Sequence, residues 1–466
     1  MQIPILSGIT TNEDSDFRTS YPRNYEPVPM DQGISSGYLR PADGIIQLGS
    51  GPGVDRGGIN WNDVCYRVMG TKLVSIAADG TTTTLGDVGG TSQVTFNYSF
   101  DRLGIASNSN LFYWNGAVLT QVVDIDLGTV VDMIWVDGYF MTTDGEFLVV
   151  TELSDPTAVN PLKYGSSEID PDPVVALKKL RNEVYAINRY TIESFQNIGG
   201  ELFPFQVVDG AQMQRGSVGT HACAVFVDQI AFIGSGRNET NSIWLGINGQ
   251  TSKLATREID IILSGYTEEV LSTAILEERV TSAQQLLYVH LPDQTLVYNA
   301  VASQSAGVPV WYTLASSITG DSIYRARNFV RAYDLWLCGD PTTINHGFLT
   351  EGISSHYGNA VGWEFGTKII YNEGRGAIFH ELELVALSGR AALGDDPTIW
   401  TDSSSDGETW GQKRYIKAGT QGQRNKRLTW LGLGHMDHWR IQRFGGTSDA
   451  HLSFARLEAQ LEQLNV

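Results

Sequence analysis

Apolar residues in this chain come in short runs, rich in β-branched and aromatic side chains, and each run is closed by a polar turn. Lys72–Ala77, Leu111–Trp114, Tyr139–Thr142, Glu183–Ile187, Gln229–Ile233, Leu286–His290 and Asp334–Cys338 are of this kind. Between them stand Asp79-Gly80, Asn115-Gly116, Asp137-Gly138, Asp144-Gly145 and Asn248-Gly249. Such pairs take the positive φ angles of tight hairpin turns at little cost. Short strands repeatedly joined by hairpins predict antiparallel, mainly β structure. One central strand per unit falls near Lys72, Leu103, Tyr139, Glu183, Gln229, Leu286 and Asp334, with steps of about 31 to 57 residues. Most steps are close to the ~40–50 residues of a four-stranded propeller blade. The pattern predicts a β-propeller of about seven blades, six to eight. Stacked β-sandwiches are the rival architecture, but they use longer strands and do not keep this rhythm.

Helical signals are few. Thr267–Glu278 carries Thr267 ahead of a Glu pair and an apolar stripe of Val270, Leu271, Ala274 and Ile275, which predicts one short inserted helix. Leu452–Leu464 reads as a helix or as the end of a strand. Two flanks lie outside the rhythm. Residues 1–45, with Pro4, Pro22, Pro27 and Pro29, read as an extended N-terminal arm that needs a partner surface; residues 46–355 are the propeller. Residues 356–466 change character. Strand-like segments at Lys368–Tyr371, His380–Leu387, Ile399–Thr401 and Trp439–Phe444 predict a separate, sandwich-like C-terminal docking domain.

Charge divides along the same line. The 466 residues hold 52 acids against 32 Lys and Arg, a formal charge of -20. Residues 401–466 hold 7 acids and 9 bases, so the whole excess of acid lies in the first 400 residues. Eight bases fall within Trp410–Phe444 against one acid, Asp437. The stretch holding Lys413, Arg414, Lys417, Arg424, Lys426 and Arg427 reads as a hairpin with charged edges. It is either an edge protected by charge against aggregation or a docking patch for an acidic partner, another copy's propeller included. Net acidity argues against a free DNA- or membrane-binding protein. No apolar run approaches the length of a membrane-spanning helix. The N-terminal stretch has no basic region ahead of its apolar residues, so it is not read as a signal peptide.

Catalytic constellations are sparse. There is no HExxH, no P-loop and no GxGxxG opening a helix. Cys65, Cys223 and Cys338 are too widely spaced for a metal pair. His435, Asp437, His438 and His451 lack metal-ligand spacing. No cofactor is expected. Ser404–Trp410 resembles the Asp-box hairpin of sialidase-type propellers, but as one short copy it reads as an Asp-Gly turn over a packed Trp. The adjacent carboxylates Glu268-Glu269, Glu277-Glu278 and Asp395-Asp396 cannot both face one pocket from a strand and read as solvated surface.

An ordered series of motifs carries a family resemblance. Ser35-Ser36-Gly37-Tyr38-Leu39-Arg40 is followed by Val64–Leu73, Gly86-Asp87-Val88-Gly89 and Ser264–Glu269. Leu286–Pro292, Leu296–Ala300, Leu337–Asp340 and Ile353–Tyr357 come after, in the same order and at similar distances. The series resembles the packaged-DNA stabilisation proteins, or tail nozzle (tail hub) proteins, of short-tailed phages. The resemblance spans most of residues 1–360 and is weaker beyond. It implies a structural virion protein, not an enzyme, assembled in the host cytoplasm. Such a protein forms a hexameric ring below the portal-adaptor ring. It extends and closes the DNA channel, stabilises packaged DNA, permits its ejection, and meets a tail needle or plug and tail spikes or fibres. Double-stranded DNA would pass without being held. An acidic channel wall would repel the phosphates that a basic wall would grip. The alternative reading is a propeller glycan-binding component or a sialidase-like depolymerase, which predicts a pocket at the propeller axis with convergent Arg and carboxylate groups.

Overall fold

The structure, a computed structural model, describes residues 1–6, 22–29, 35–168 and 170–464. Seven antiparallel blade sheets follow one another along the chain, six of four strands and one, the fifth, of five. Their second strands begin at Val64, Leu103, Tyr139, Glu183, Gln229, Gln285 and Leu335. Six of the seven positions expected from the pattern fall on or beside these strands; the first, Lys72, is the third strand of its blade. The first strand of each blade packs beside the first strands of its neighbours, which makes them the inner ring of a propeller. Asp137 and Gly138, at φ 49° and 93°, show how the tight turns between strands are made.

The apolar core is divided into seven clusters, one between each pair of neighbouring blades, and an eighth inside the C-terminal domain. This follows from alternation: each blade buries both faces, one against the blade before it and one against the blade after. The gap between the last blade and the first has the fewest buried apolar residues, seven. Closure there draws on other devices. Gly44–Ser50, from before the first blade, pairs with Asn345–Thr350 as the outer strand of the last blade. Arg67 of the first blade, fully buried, donates to Asp55 Oδ1 at 3.0 Å and to the Asn328 carbonyl of the last blade at 2.6 Å. Asn328 in turn donates its side-chain amide to Asp55 Oδ2 at 2.6 Å. Tyr333, held at φ 54°, donates its hydroxyl to the Ile76 carbonyl at 2.7 Å.

The C-terminal domain is a sandwich. One sheet runs Tyr25–Pro29, Gly37–Pro41, Ser453–Gln463, Ala377–Leu387, Leu428–Leu431. The other runs Gly362–Gly366, Trp439–Thr447, Thr398–Ser404, Arg414–Lys417. Tyr25, Trp363, Phe365, Phe444 and Phe454 pack between them. The described parts of the expected N-terminal arm pair within this chain's own sandwich sheet. Gln2–Ile3, Tyr25–Pro29 and Gly37–Pro41 join this sheet because alternate residues there, such as Ile3, Tyr25 and Leu39, are apolar and find the sandwich core. The remainder of residues 1–45 lies partly outside the described residues.

One further expectation changes. Thr267–Glu278 is not one helix. Thr267 caps a single turn, Glu268–Leu271, and Ile275–Val280 is the inner strand of the sixth blade. The Ser272 and Thr273 hydroxyls donate to the Glu269 and Val270 carbonyls, at 2.7 Å each, which competes with continuation of the helix. A longer helix precedes it at Arg257–Ser264, capped by Thr256. Of the two readings of Leu452–Leu464, the strand holds, over Ser453–Gln463.

The two domains meet at the outer rim of the sixth and seventh blades. Asn24, at φ 56°, donates to the Ala315 carbonyl at 2.8 Å and the Gly362 carbonyl at 2.7 Å, and accepts from the Ala315 amide at 2.9 Å. One amide side chain thus ties the propeller to the sandwich. Beside it lies a buried ionic cluster. Arg40 pairs with Glu26, Arg279 pairs with Asp43, and Arg279 also donates to the Tyr288 hydroxyl at 3.0 Å. Burial, with Asp43 adding to it, pushes the Glu26 carboxyl up to about 7 against the pull of Arg40 and Arg279.

Candidate docking surface

The basic stretch is not a hairpin. Arg414–Lys417 is the edge strand of one sheet, paired with Thr398–Ser404, and Leu428–Leu431 is the edge strand of the other, paired with Ala377–Leu387. The chain crosses between sheets because Ile416 packs on the core, while Leu428 and Trp430 are buried in it, from opposite sides. Arg414 bridges the two edges, donating to the Leu431 carbonyl at 2.8 Å and the Gly432 carbonyl at 2.7 Å. The Trp430 indole returns a hydrogen bond to the Arg414 carbonyl at 2.9 Å.

All six candidate residues are exposed, but they differ in what they already touch. Lys417 pairs with Asp396 at 2.9 Å. Arg427 grips Glu383 through two nitrogens and reaches Glu381 at 3.3 Å. That grip holds the Glu383 carboxyl below its usual range. The Lys413 ammonium lies 3.8 Å from the centre of the Trp400 ring. Arg424 and Lys426, on the crossing loop, touch no acid among the described residues. They are the part of the edge with charge to spare. The other two bases of the region point inward: Arg440 is buried over Phe379, and Arg443 joins Asp402 at 2.7 Å and stacks on Trp410 at 3.8 Å.

Ser404–Trp410 makes the expected Asp turn. Asp406 Oδ1 accepts from the Glu408 and Thr409 amides at 2.8 and 2.7 Å. It sits in the sandwich, not the propeller, and its Trp packs under Arg443. Polar groups of the inner ring are tied to one another. Glu277 accepts from the Asn328 and Phe329 amides at 2.8 and 2.7 Å and meets His290 at 2.8 Å. The Gln93 amide donates to Asn328 at 2.5 Å. Burial lowers the His290 imidazole's proton affinity despite its carboxylate partner. Among the described residues, no three His, Cys, Asp or Glu side chains converge as a metal site, and Cys65, Cys223 and Cys338 are buried thiols. No helix there is long and apolar enough to cross a membrane.

The sequence matches the family model of the bacteriophage P22 Gp10 β-propeller over residues 1–354 and that of the P22 Gp10 β-sandwich over residues 362–462. The chain belongs to the P22 Gp10 family of phage tail hub proteins. One relative, the tail hub protein gp10 of Salmonella phage P22, is 27% identical over 459 residues, covering 93% of this chain and 94% of its own. Solved structures similar to this Gp10-family chain include the Pan2 WD40 domain of Neurospora crassa (TM-score 0.44, 10% identity, 70% of this chain and 98% of that one). The N-terminal domain of Nup159 is another (TM-score 0.41, 10% identity, 69% and 98%).

Proposed function

We propose that the chain is a structural tail hub of a phage virion that acts in assembly and not in catalysis. The observation that carries this is the near full-length match to a tail hub protein, across propeller and sandwich together. In this reading six copies form a ring below the portal adaptor, the ring centre carries the DNA, and a tail needle or plug and tail spikes or fibres attach around it. The physical features suit such a part. Seven stacked inter-blade cores and a welded closure make a stiff body, and a net charge of -20 keeps DNA from binding its walls. The exposed bases Lys413, Arg424 and Lys426 give the sandwich a charged edge for docking to an acidic neighbour.

Native mass spectrometry and cryo-microscopy of the chain with its adaptor test this. The expected result is a six-fold ring coaxial with a DNA-wide channel. A stable monomer that cleaves capsular glycan would refute it.

A further inference from the structure

Large apolar side chains crowd round the outer rim of the third blade. Ile125, Leu153, Leu162, Tyr164, Ile198 and Leu202 are each more than half exposed. They surround the blade's outer strand, Val159–Ser166. Asp124, next to Ile125, accepts from the Val159 amide at 3.0 Å. Phe203, next to Leu202, lies on Gly165, where a Cβ would come within 2.3 Å of its ring. Leu153 lies over Gly138, and Asn197, next to Ile198, donates to Asp137 at 3.1 Å. Pairing in the outer strand jumps from Thr151–Val159 to Val149–Tyr164, so residues 160–163 bulge outward with Leu162 among them. The bulge and Pro161, which has no amide proton, blunt this edge against strand addition. A partner must therefore meet side chains. Single exposed apolar residues are ordinary, but this many around one strand mark a contact surface.

Acids ring the patch. Residues 137–168 hold six acids and one base, Lys163, which pairs with Glu152 at 2.8 Å. Glu146 and Glu201 are exposed and form no ion pair among the described residues. The complement stands on the same chain. The sandwich turns the edges Tyr25–Pro29 and Gly362–Gly366 to the propeller and the edges Arg414–Lys417 and Leu428–Leu431 away from it. The far edges expose Tyr415 and Leu431, beside Lys413, Arg424 and Lys426. The sandwich meets the sixth and seventh blades, and in a ring of seven the third blade lies opposite them. An apolar patch edged with acid and one edged with base thus stand at opposite ends of one molecule.

We propose that the far edge of one copy's sandwich docks on the third-blade rim of the next copy. This rests on the reading of the chain as a self-assembling hub and names the contact. Tyr415 and Leu431 lose water against the apolar rim, and the bases fix the register against its acids. Two different patches meet, so the contact is head-to-tail, and its repetition closes a ring.

Two sets of changes at exposed positions of the full chain test it: L162E with L202E on the rim, and R424E, K426E and L431E on the edge. Each set alone should weaken self-association roughly tenfold or more in native mass spectrometry, with urea unfolding unchanged. Each altered chain keeps one good surface. An equal mixture should therefore hold more dimer than either chain alone at the same concentration, and nothing larger. Rings of the native chain with undiminished assembly of the rim variant would overturn the contact and leave the hub reading standing. Loss of assembly in both variants with no gain of dimer on mixing would do the same. A native chain that stays monomeric beside its adaptor would overturn the hub reading and this contact with it.

Discussion

Two ion pairs, each between an arginine and a carboxylate of a β-strand, show how differently the propeller and the sandwich use charge. Arg67 and Asp55 are both wholly buried, and their remaining polar atoms are largely taken by Asn328. Arg427 and Glu383 lie at a sheet edge, 65% and 19% exposed. The first pair stands where the apolar core between blades is thinnest and fixes which blade closes on which. The second lies in water, where its attraction is screened and its side chains stay mobile. The same two functional groups therefore specify a fold in one place and leave a surface open to a partner in the other.

The sharpest way to break the comparison is to remove one member of each pair. R67M leaves Asp55 buried against Asn328 without its counter-charge, and the expected loss is about 3–5 kcal/mol in urea unfolding. The double change R67M with D55L should recover most of that loss, since a buried pair can be replaced by apolar groups of like volume. If the single change costs under about 1 kcal/mol, the closure does not depend on this pair. N24A comes next. It removes three side-chain hydrogen bonds, two to Ala315 of the propeller and one to Gly362 of the sandwich, and Ala is strained at φ 56°. An expected loss of about 2–3 kcal/mol should register as easier proteolysis at the junction of the domains.

A smaller effect separates the two regions by pH. The Glu26 carboxyl, buried beside Asp43, rises from 4.5 in the unfolded chain to about 7 when folded. Between those values the native state holds a proton that the unfolded chain has released. Stability from this group therefore falls as pH rises from about 4.5 to about 7 and is level above. E26Q should flatten that part of the stability–pH curve relative to the native chain. Asp55, raised to about 6 by burial, adds a slope of the same sign that E26Q leaves in place. An unchanged curve in E26Q would mean that Glu26 stays ionised between Arg40 and Arg279.

How far this division could be read from the chain depends on whether the interaction is local. Central strands were legible because their apolar runs and turns lie within a few residues. The exception is instructive: the second strand of the first blade, Val64–Met69, carries Arg67 amid its apolar residues, and only the fold shows that this charge is buried. Several two-residue turns contain neither Asn-Gly nor Asp-Gly. Asn62-Asp63, Val227-Asp228 and Tyr333-Asp334 take positive φ angles without glycine, held by blade packing. The closing strand Gly44–Ser50 finds its partner some three hundred residues on, beyond any local signal. At the sandwich edge, exposure of the six bases was legible, but their occupancy was not. Glu381, Glu383 and Trp400 reach them from other strands and Asp396 from a loop.

The smallest effect on stability carries the most functional weight. R427A removes an exposed pair and should cost no more than about 1 kcal/mol. R424E with K426E changes two bases that touch no acid among the described residues, and should leave unfolding within about 0.5 kcal/mol of the native chain. If the sandwich edge docks on an acidic neighbour, the same double change should still weaken assembly, and increasingly so as ionic strength is lowered, because repulsion replaces steering. The measurement is the fraction of chain in rings, by native mass spectrometry, at two salt concentrations. Unchanged assembly at both would reduce the basic edge to a guard against strand pairing. Lost assembly with unchanged unfolding would show that this charge, unlike that of Arg67, serves contacts outside the chain.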